Sequence, residues 1–307
     1  MPLPVRILAA LCLLLCQACS HLVPPAPDIR PRAHEFHFGD GGRAGYFVLD
    51  KSADPTNPPT TFLFMIPGSD CGSMGGVLPA YFDGLDGRAG GTRVFILHKR
   101  FIGTGANGNC SDDFTRADHP LRWLADQEEF IRTELAAART NGQALVRIAI
   151  AGMSEGAEIA PALARRIPDV THVALLANGG MNPFDAYRLQ MQRHGFHHAL
   201  ADIEHLCPAP SDAIIAAERT CRYWNELQAI QHTDNLLALD VPIFIAMGEA
   251  DTMVPVESAW FIQDKFATQG KKNLHLLTIP GASHDFRRNG ESVLPYLWDA
   301  LEHWLHQ

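Results

Sequence analysis

Extended stretches of one charge sign are missing from this chain. Lys and Arg number 25 against 34 Asp and Glu in 307 residues, a formal charge of −9. The basic residues form no run, which argues against a nucleic-acid partner held through its phosphates. Cysteine is scarce and none of it is spaced like a zinc site; nothing in the pattern asks for a metal or cofactor. Internal repeats and low-complexity segments are absent. With 47% hydrophobic and 19% charged residues, what remains is a globular chain with one large domain or two small ones.

The first residues read as a targeting segment. Arg6 is the lone charge of a short n-region, and residues 7–15 form an apolar run too short for a stable membrane anchor. Residues 1–18 are taken as a signal peptide with cleavage after Ala18. Gln17-Ala18-Cys19-Ser20 resembles the lipobox of bacterial lipoproteins, with Cys16 standing where Leu is usual. Lipidation of Cys19 would attach the chain to a membrane. The expected location is outside the cytoplasm: periplasmic or outer-membrane lipoprotein if the source is bacterial, otherwise secreted. Residues 19–34 carry Pro24, Pro25, Pro27 and Pro31 and read as an extended tether. Three of the 7 cysteines lie in the leader region. Cys71, Cys110, Cys207 and Cys221 remain, an even set in an exported chain, expected to pair as Cys71–Cys110 and Cys207–Cys221 because each pair lies in one local segment.

From residue 35 onward, the chain alternates between strand and helix patterns. Phe36 and Phe38 on one face, a Gly-rich turn and the run 46–49 predict an opening antiparallel hairpin. Residues 61–66, 94–98, 145–150, 172–177, 241–247 and 274–279 are apolar runs that read as strands. Pro120 opens a helix that Asn141-Gly142 closes. Residues 179–236 are read as an insertion, helical and rich in Met and aromatic residues, fitting either a cap over a pocket or a plain helical layer. Its His194, His197 and His198 match no metal motif and read as surface residues of a helix. This order predicts an α/β protein, a mostly parallel sheet with helices on both faces. The site of such sheets lies beyond the C-terminal strand ends.

Gly152-Met153-Ser154-Glu155-Gly156 follows one of these strands and precedes a helix-favouring stretch. A strand, a glycine-flanked turn and a helix present a serine hydroxyl in a strained backbone, next to free N–H groups at a helix start. Pro161 inside that helix predicts a kink. Asp251, in Gly248-Glu249-Ala250-Asp251, and His284, in Gly281-Ala282-Ser283-His284, each follow a later strand. Asn178, after the strand preceding the insertion, is not an acid.

In these three motifs and their order the sequence resembles the α/β-hydrolase superfamily over about residues 35–307. The resemblance implies the α/β-hydrolase fold and a serine hydrolase in which Ser154 is the nucleophile, His284 the base and Asp251 the residue that orients it. It implies a backbone oxyanion hole formed by Glu155 and, from Pro67-Gly68-Ser69, by Ser69, with Asp70 as the alternative. Pro67 stands where the family more often has His. The expected reaction is cleavage of a carboxylic ester or thioester in a small acyl substrate. An acyltransferase is the near alternative. A serine peptidase of the prolyl-oligopeptidase type is disfavoured by the lack of a propeller-like N-terminal repeat and of G-x-S-x-G-G. A non-catalytic binding protein is disfavoured because Ser, Asp and His are all present. The Glu155 side chain faces either the cleft or the helix dipole, and His98 reads as a core or rim histidine.

Overall fold

The structure, a computed structural model, describes residues 31–307 apart from 53, 55, 89 and 105–109. The signal segment, Cys19 and most of the tether lie outside the described residues. Strands β1 (Arg32–His37) and β2 (Arg43–Lys51) form the expected antiparallel hairpin. Pro31 is the last residue of this region unable to donate to a ladder, so residues 32–34, read as tether, belong to the sheet. The chain continues through β3 (Thr61–Ile66), α1 (Leu78–Tyr81), β4 (Thr92–Leu97), α2 (Asp112–Ala117), α3 (Pro120–Thr140), β5 (Arg147–Met153), α4 (Glu155–Arg166) and β6 (His172–Leu176). An insertion follows, with α5 (Pro183–Arg193), α6 (His197–Leu206), β7 (Ile215–Ala216), β8 (Arg219–Thr220), α7 (Cys221–Ala229) and α8 (His232–Leu237). The core fold resumes with β9 (Ile243–Gly248), α9 (Glu257–Thr268), β10 (Leu274–Ile279) and α10 (Leu294–Leu305).

The main sheet has the order β1-β2-β4-β3-β5-β6-β9-β10. β1 and β2 run antiparallel, β2 is antiparallel to β4, and every later pairing is parallel. β3 and β9 are buried at every position because helices cover both faces, which is why they appear in the sequence as unbroken apolar runs. Phe64, Phe95, Ile150 and Ile245 pack on one face against Phe130 of α3, Leu163 of α4 and Ile262 of α9. Leu63, Met65, Ile96 and Phe244 pack on the other against Trp298 and Leu301 of α10. This is an α/β-hydrolase architecture, with helices around a mostly parallel sheet.

Two local features bear on the expectations. Helix α4 runs unbroken through Pro161, which is buried in the core. The proline leaves the Ala157 carbonyl without its usual helical donor. The insertion is not purely helical: β7 and β8 pair as a small hairpin. Its two turn residues, Ala217 and Glu218, both adopt positive φ (43° and 63°), the geometry of the tight turns that normally take Asn-Gly. Lacking that signature, the hairpin left no mark in the sequence. The insertion has its own apolar centre, including Phe184, Ile203, Trp224 and Leu227, and a Cys207–Cys221 disulfide with Cα atoms 4.9 Å apart. Among the described residues no helix is long and apolar enough to cross a membrane.

Candidate active site

Ser154 sits between the last residue of β5 and the first of α4 with φ 53° and ψ −119°. A side chain with a Cβ rarely adopts this backbone, and the two flanking glycines show what holds it there. A Cβ on Gly152 would come within 2.4 Å of the Ala157 backbone, and one on Gly156 within 2.3 Å of the Ile66 carbonyl oxygen. Only glycine lets α4 lie that close to β5 and β3, and the close packing forces the sharp turn. The Ser154 N–H donates to the Leu176 carbonyl at 2.8 Å, tying the turn to β6.

Strand register brings the remaining residues together. β5, β6, β9 and β10 are successive neighbours, and Gly248 pairs with Ile279, so the loops after β9 and β10 leave the sheet side by side. His284 Nε2 lies 2.9 Å from Ser154 Oγ, and His284 Nδ1 lies 2.8 Å from Asp251 Oδ2. The other Asp251 oxygen, Oδ1, accepts the N–H groups of Met253 (2.7 Å) and Val254 (2.9 Å). The Asp251 side chain is fully buried and the imidazole 16% exposed. A carboxylate with both oxygens occupied cannot swing away, so the ring is held with Nδ1–H donated to Asp251 and Nε2 free to accept the serine proton.

Pro67-Gly68-Ser69 follows β3 and abuts the elbow: a Cβ on Gly68 would lie 3.4 Å from Ser154 Cβ. The backbone N–H groups of Ser69 and Glu155 have no hydrogen-bond acceptor among the described residues. The loop is tied down beyond them by Gly72 N–H on Asp70 Oδ1 at 2.8 Å and by a Cys71–Cys110 disulfide with Cα atoms 5.3 Å apart. A cavity of about 270 Å³ lies beside this loop, lined by Met65, Met74, Val77, Tyr81, Ile102 and Met153 together with His98, Lys99 and Asp285. The insertion reaches the site from both sides. His194 of the loop after α5 lies 3.3 Å from the Thr252 carbonyl, and an Arg219 amine donates to the Ser69 carbonyl at 3.1 Å.

The Glu155 side chain turns away from the cleft into a buried charge cluster that the sequence did not disclose. Lys99 Nζ lies 3.1 Å from Glu155 Oε1 and 2.6 Å from Asp118 Oδ1. The Arg219 guanidinium is paired with Asp118 Oδ2 and lies 3.8 Å from Glu155 Oε2. Burial lowers the Lys99 pKa, with Glu155 opposing the shift. One turn along α4, burial pushes the Glu158 carboxyl well above its ordinary value, reinforced by the negative charge of Glu155. Lys99 had one sequence signal, a charge directly after a buried parallel strand. Asp118 and Arg219 had none.

His98 is 1% exposed, and its Nε2 accepts the Met74 N–H at 3.2 Å, which requires a neutral ring. Burial lowers its pKa to about 4, and burial does the same to His232, also to about 4. Well above pH 6.5 both rings are neutral in either state. Between pH 6.5 and about 4 the unfolded chain binds protons that the folded chain refuses, so each ring costs up to about 1.4 kcal/mol of stability per pH unit as pH falls. Glu158, whose carboxyl burial pushes well above its ordinary value, acts in the opposite sense above that ordinary value. Ring titration by NMR separates the contributions: the His98 and His232 ring protons are expected to keep neutral shifts down to about pH 4, and a midpoint near 6.5 for either would contradict its burial. Among the described residues no group of three or more His, Cys, Asp or Glu side chains could hold a metal ion.

The chain shares its fold with esterases, lipases and peptidases of known structure. Est1E from Butyrivibrio proteoclasticus superposes with a TM-score of 0.58 at 17% identity, over 89% of this chain and 97% of Est1E. A soluble variant of monoglyceride lipase from Saccharomyces cerevisiae gives 0.59 at 16% identity, over 93% and 98%. A puromycin-hydrolyzing peptidase from Mycobacterium tuberculosis gives 0.58 at 17% identity, over 93% of this chain but only 41% of the peptidase. No curated protein matches the chain in sequence. The prolyl oligopeptidase family matches residues 125–307. That span holds the elbow, the insertion and the loops of Asp251 and His284, and neither a propeller nor a second glycine after Gly156 is needed for the match. Covering more than half of the chain, it establishes the lineage: this serine hydrolase belongs to the prolyl oligopeptidase family.

Proposed function

We propose that the chain is an exported hydrolase that cleaves a carboxylic ester or thioester of a small acyl group through an acyl-enzyme on Ser154. The observation that carries this reading is the hydrogen-bonded series Ser154–His284–Asp251 at the strained turn after β5. A serine hydroxyl is a weak nucleophile at neutral pH and needs a base within hydrogen-bond reach. His284 Nε2 takes the proton as Oγ attacks the acyl carbon, and Asp251 stabilises the imidazolium that forms. The negative charge moves to the former carbonyl oxygen, where the N–H groups of Glu155 and Ser69 would receive it. His284 then returns its proton to the departing alcohol or thiol. Water repeats the sequence from the other side: His284 removes its proton, its oxygen attacks the acyl carbon, and the Ser154 oxygen leaves and is reprotonated.

The apolar cavity beside Gly68 and Met153 supports an acyl group of modest size. The two disulfides support export, since such bonds persist in oxidising compartments; the signal segment and lipidation of Cys19 belong to the same proposal. The family's name brings peptide bonds into consideration. The mostly apolar lining of the cavity, Met65, Met74, Val77, Ile102 and Met153, weighs toward an acyl ester. A panel of p-nitrophenyl esters with acyl chains of two to twelve carbons, run beside aminoacyl amides and peptidyl anilides, is the test. Ester turnover is expected to peak at a short or medium acyl chain and to exceed amide turnover by orders of magnitude. Comparable or faster amide cleavage would make the protein a peptidase. Faster product formation with added alcohol, giving the exchanged ester, would make it an acyltransferase.

A further inference from the structure

Arg219 stands where three parts of the molecule meet. It belongs to the insertion, pairs with Asp118 ahead of α3, and donates to the carbonyl of Ser69 in the loop against Ser154. The same nitrogen that donates to Ser69, Nη2, lies 3.8 Å from Glu155 Oε2, at the residue following the serine. Its guanidinium carbon lies 4.8 Å from the centroid of the Tyr223 ring, and its side chain is only 19% exposed.

The hairpin that carries Arg219 is rigid and strained. Trp224 Nε1 donates to the Ala216 carbonyl at 2.7 Å, the Thr220 hydroxyl caps α7 by accepting the Tyr223 N–H at 3.1 Å, and Cys221 is bridged to Cys207. Ala217 and Glu218 hold positive φ without glycine. Such backbone strain persists only where the surroundings over-determine it, and it collects at functional positions. Here the strained turn aims one guanidinium at one carbonyl.

The carbonyl matters because of what it is joined to. Gly68 is packed against Ser154, and Ser69 is itself exposed, with no side-chain packing to hold it. With the Ser69 C=O fixed on Arg219, the peptide that follows is fixed too, and the planar trans bond turns the Asp70 N–H away from Arg219. Ser69 Cα is thereby held between an anchored peptide and Gly68, which sets the direction of its own N–H. The anchor is charge-assisted and planar, with one nitrogen of the fork on Asp118 and the other on the Ser69 carbonyl, and a shorter side chain ending in a single nitrogen does not reproduce that geometry.

We propose that Arg219 is a positioning residue for the reaction at Ser154: from the insertion it holds the oxyanion loop in its working geometry, so docking of the insertion and competence of the site are one event. The proposal rests on the reading of Ser69 N–H as an oxyanion donor. It gives the insertion a role besides covering a pocket, and it gives the Glu155 side chain one as well, as a counter-charge for the arginine.

The test is Arg219→Met and Arg219→Lys assayed on the p-nitrophenyl ester panel, beside Ser154→Ala. Losing an oxyanion donor outright costs about 10²–10³ in kcat, so a loosened one is expected to cost about tenfold or more. Both variants are expected to lose kcat by a similar factor for every acyl length, with KM changed less than about threefold, and to be phosphonylated more slowly by the same factor. Arg219→Lys keeps the charge beside Asp118 and Glu155, so it separates positioning from folding: its thermal midpoint is expected to stay near wild type while kcat falls. A folded Arg219→Lys with kcat within about twofold of wild type, or a change confined to KM, would overturn the proposal. Arg219→Met that melts earlier but turns over normally would reduce Arg219 to a structural residue. If hydrolysis survived Ser154→Ala, the reading of the site itself would fall; if Ser154→Ala were dead and both arginine variants fully active, only the positioning role would fall.

Discussion

Ser154→Ala is expected to abolish labelling by an organophosphonate probe and to lower ester turnover by about a millionfold. The substitution removes only Oγ, the atom 2.9 Å from His284 Nε2. The Cβ stays, so the positive-φ turn and the glycine contacts that enforce it are unchanged, and the thermal midpoint should move little. Other hydroxyls near the cleft are differently engaged: Ser73 Oγ accepts the Gly75 N–H, and Ser283 Oγ accepts the Arg287 N–H. Among the described residues no second hydroxyl is bonded to the His284 ring. Labelling that persisted at another serine would sink the assignment. Asp251→Asn is the companion variant. Its amide keeps an acceptor for the Met253 and Val254 N–H groups, so the loop survives, but the amide can turn its NH₂ toward His284. The ring would then hold its proton on Nε2, the wrong nitrogen for a base, and a loss of about 10⁴ in kcat is expected.

The sequence was readable where chemistry and local backbone coincide. The elbow could be found because glycine, serine and glycine within five residues record a single turn, and because strand and helix patterns flank it. Asp251 and His284 could be found because the alternation of strands and helices sends every functional loop to one end of the sheet. The cysteine pairs followed from sequence proximity within each local segment. The charge cluster could not be found that way. Lys99, Asp118, Glu155 and Arg219 lie on four separate segments of the chain, two of them loops, and a buried ion pair has no sequence period. Glu155 was visible, but only as a backbone N–H or a helix-start carboxylate. The hairpin that brings Arg219 to the site was hidden because Ala217 and Glu218 form a turn that usually announces itself with Asn or Gly. Pro161 was legible as a proline inside a helix. The residue is buried and α4 continues on both sides of it.

Asp118→Ala is expected to destabilise the fold by about 3–5 kcal/mol, the usual cost of removing one partner of a buried ion pair. Asp118 is 3% exposed and binds two cations, Lys99 at one oxygen and Arg219 at the other. Without it, Glu155 alone faces both, and the cluster changes from balanced to an excess of one positive charge. Lys99 is the weak point, because burial already lowers its pKa. It would relieve the imbalance by releasing its proton, so the variant should recover stability as pH rises toward the ordinary lysine range, where the unfolded chain still binds the proton the folded chain has lost. Urea unfolding of Asp118→Ala, Lys99→Met and the double variant checks this. The double variant is expected to be more stable than Asp118→Ala alone, because removing Lys99 also removes the excess charge. A loss below about 1 kcal/mol for Asp118→Ala would mean that the pair is solvated and the cluster carries no such charge balance. The activity of the folded fraction links this experiment to the site. Asp118 orients Arg219, and Arg219 holds the Ser69 carbonyl, so kcat in Asp118→Ala should fall even where the protein remains fully folded, in the same direction as in Arg219→Lys.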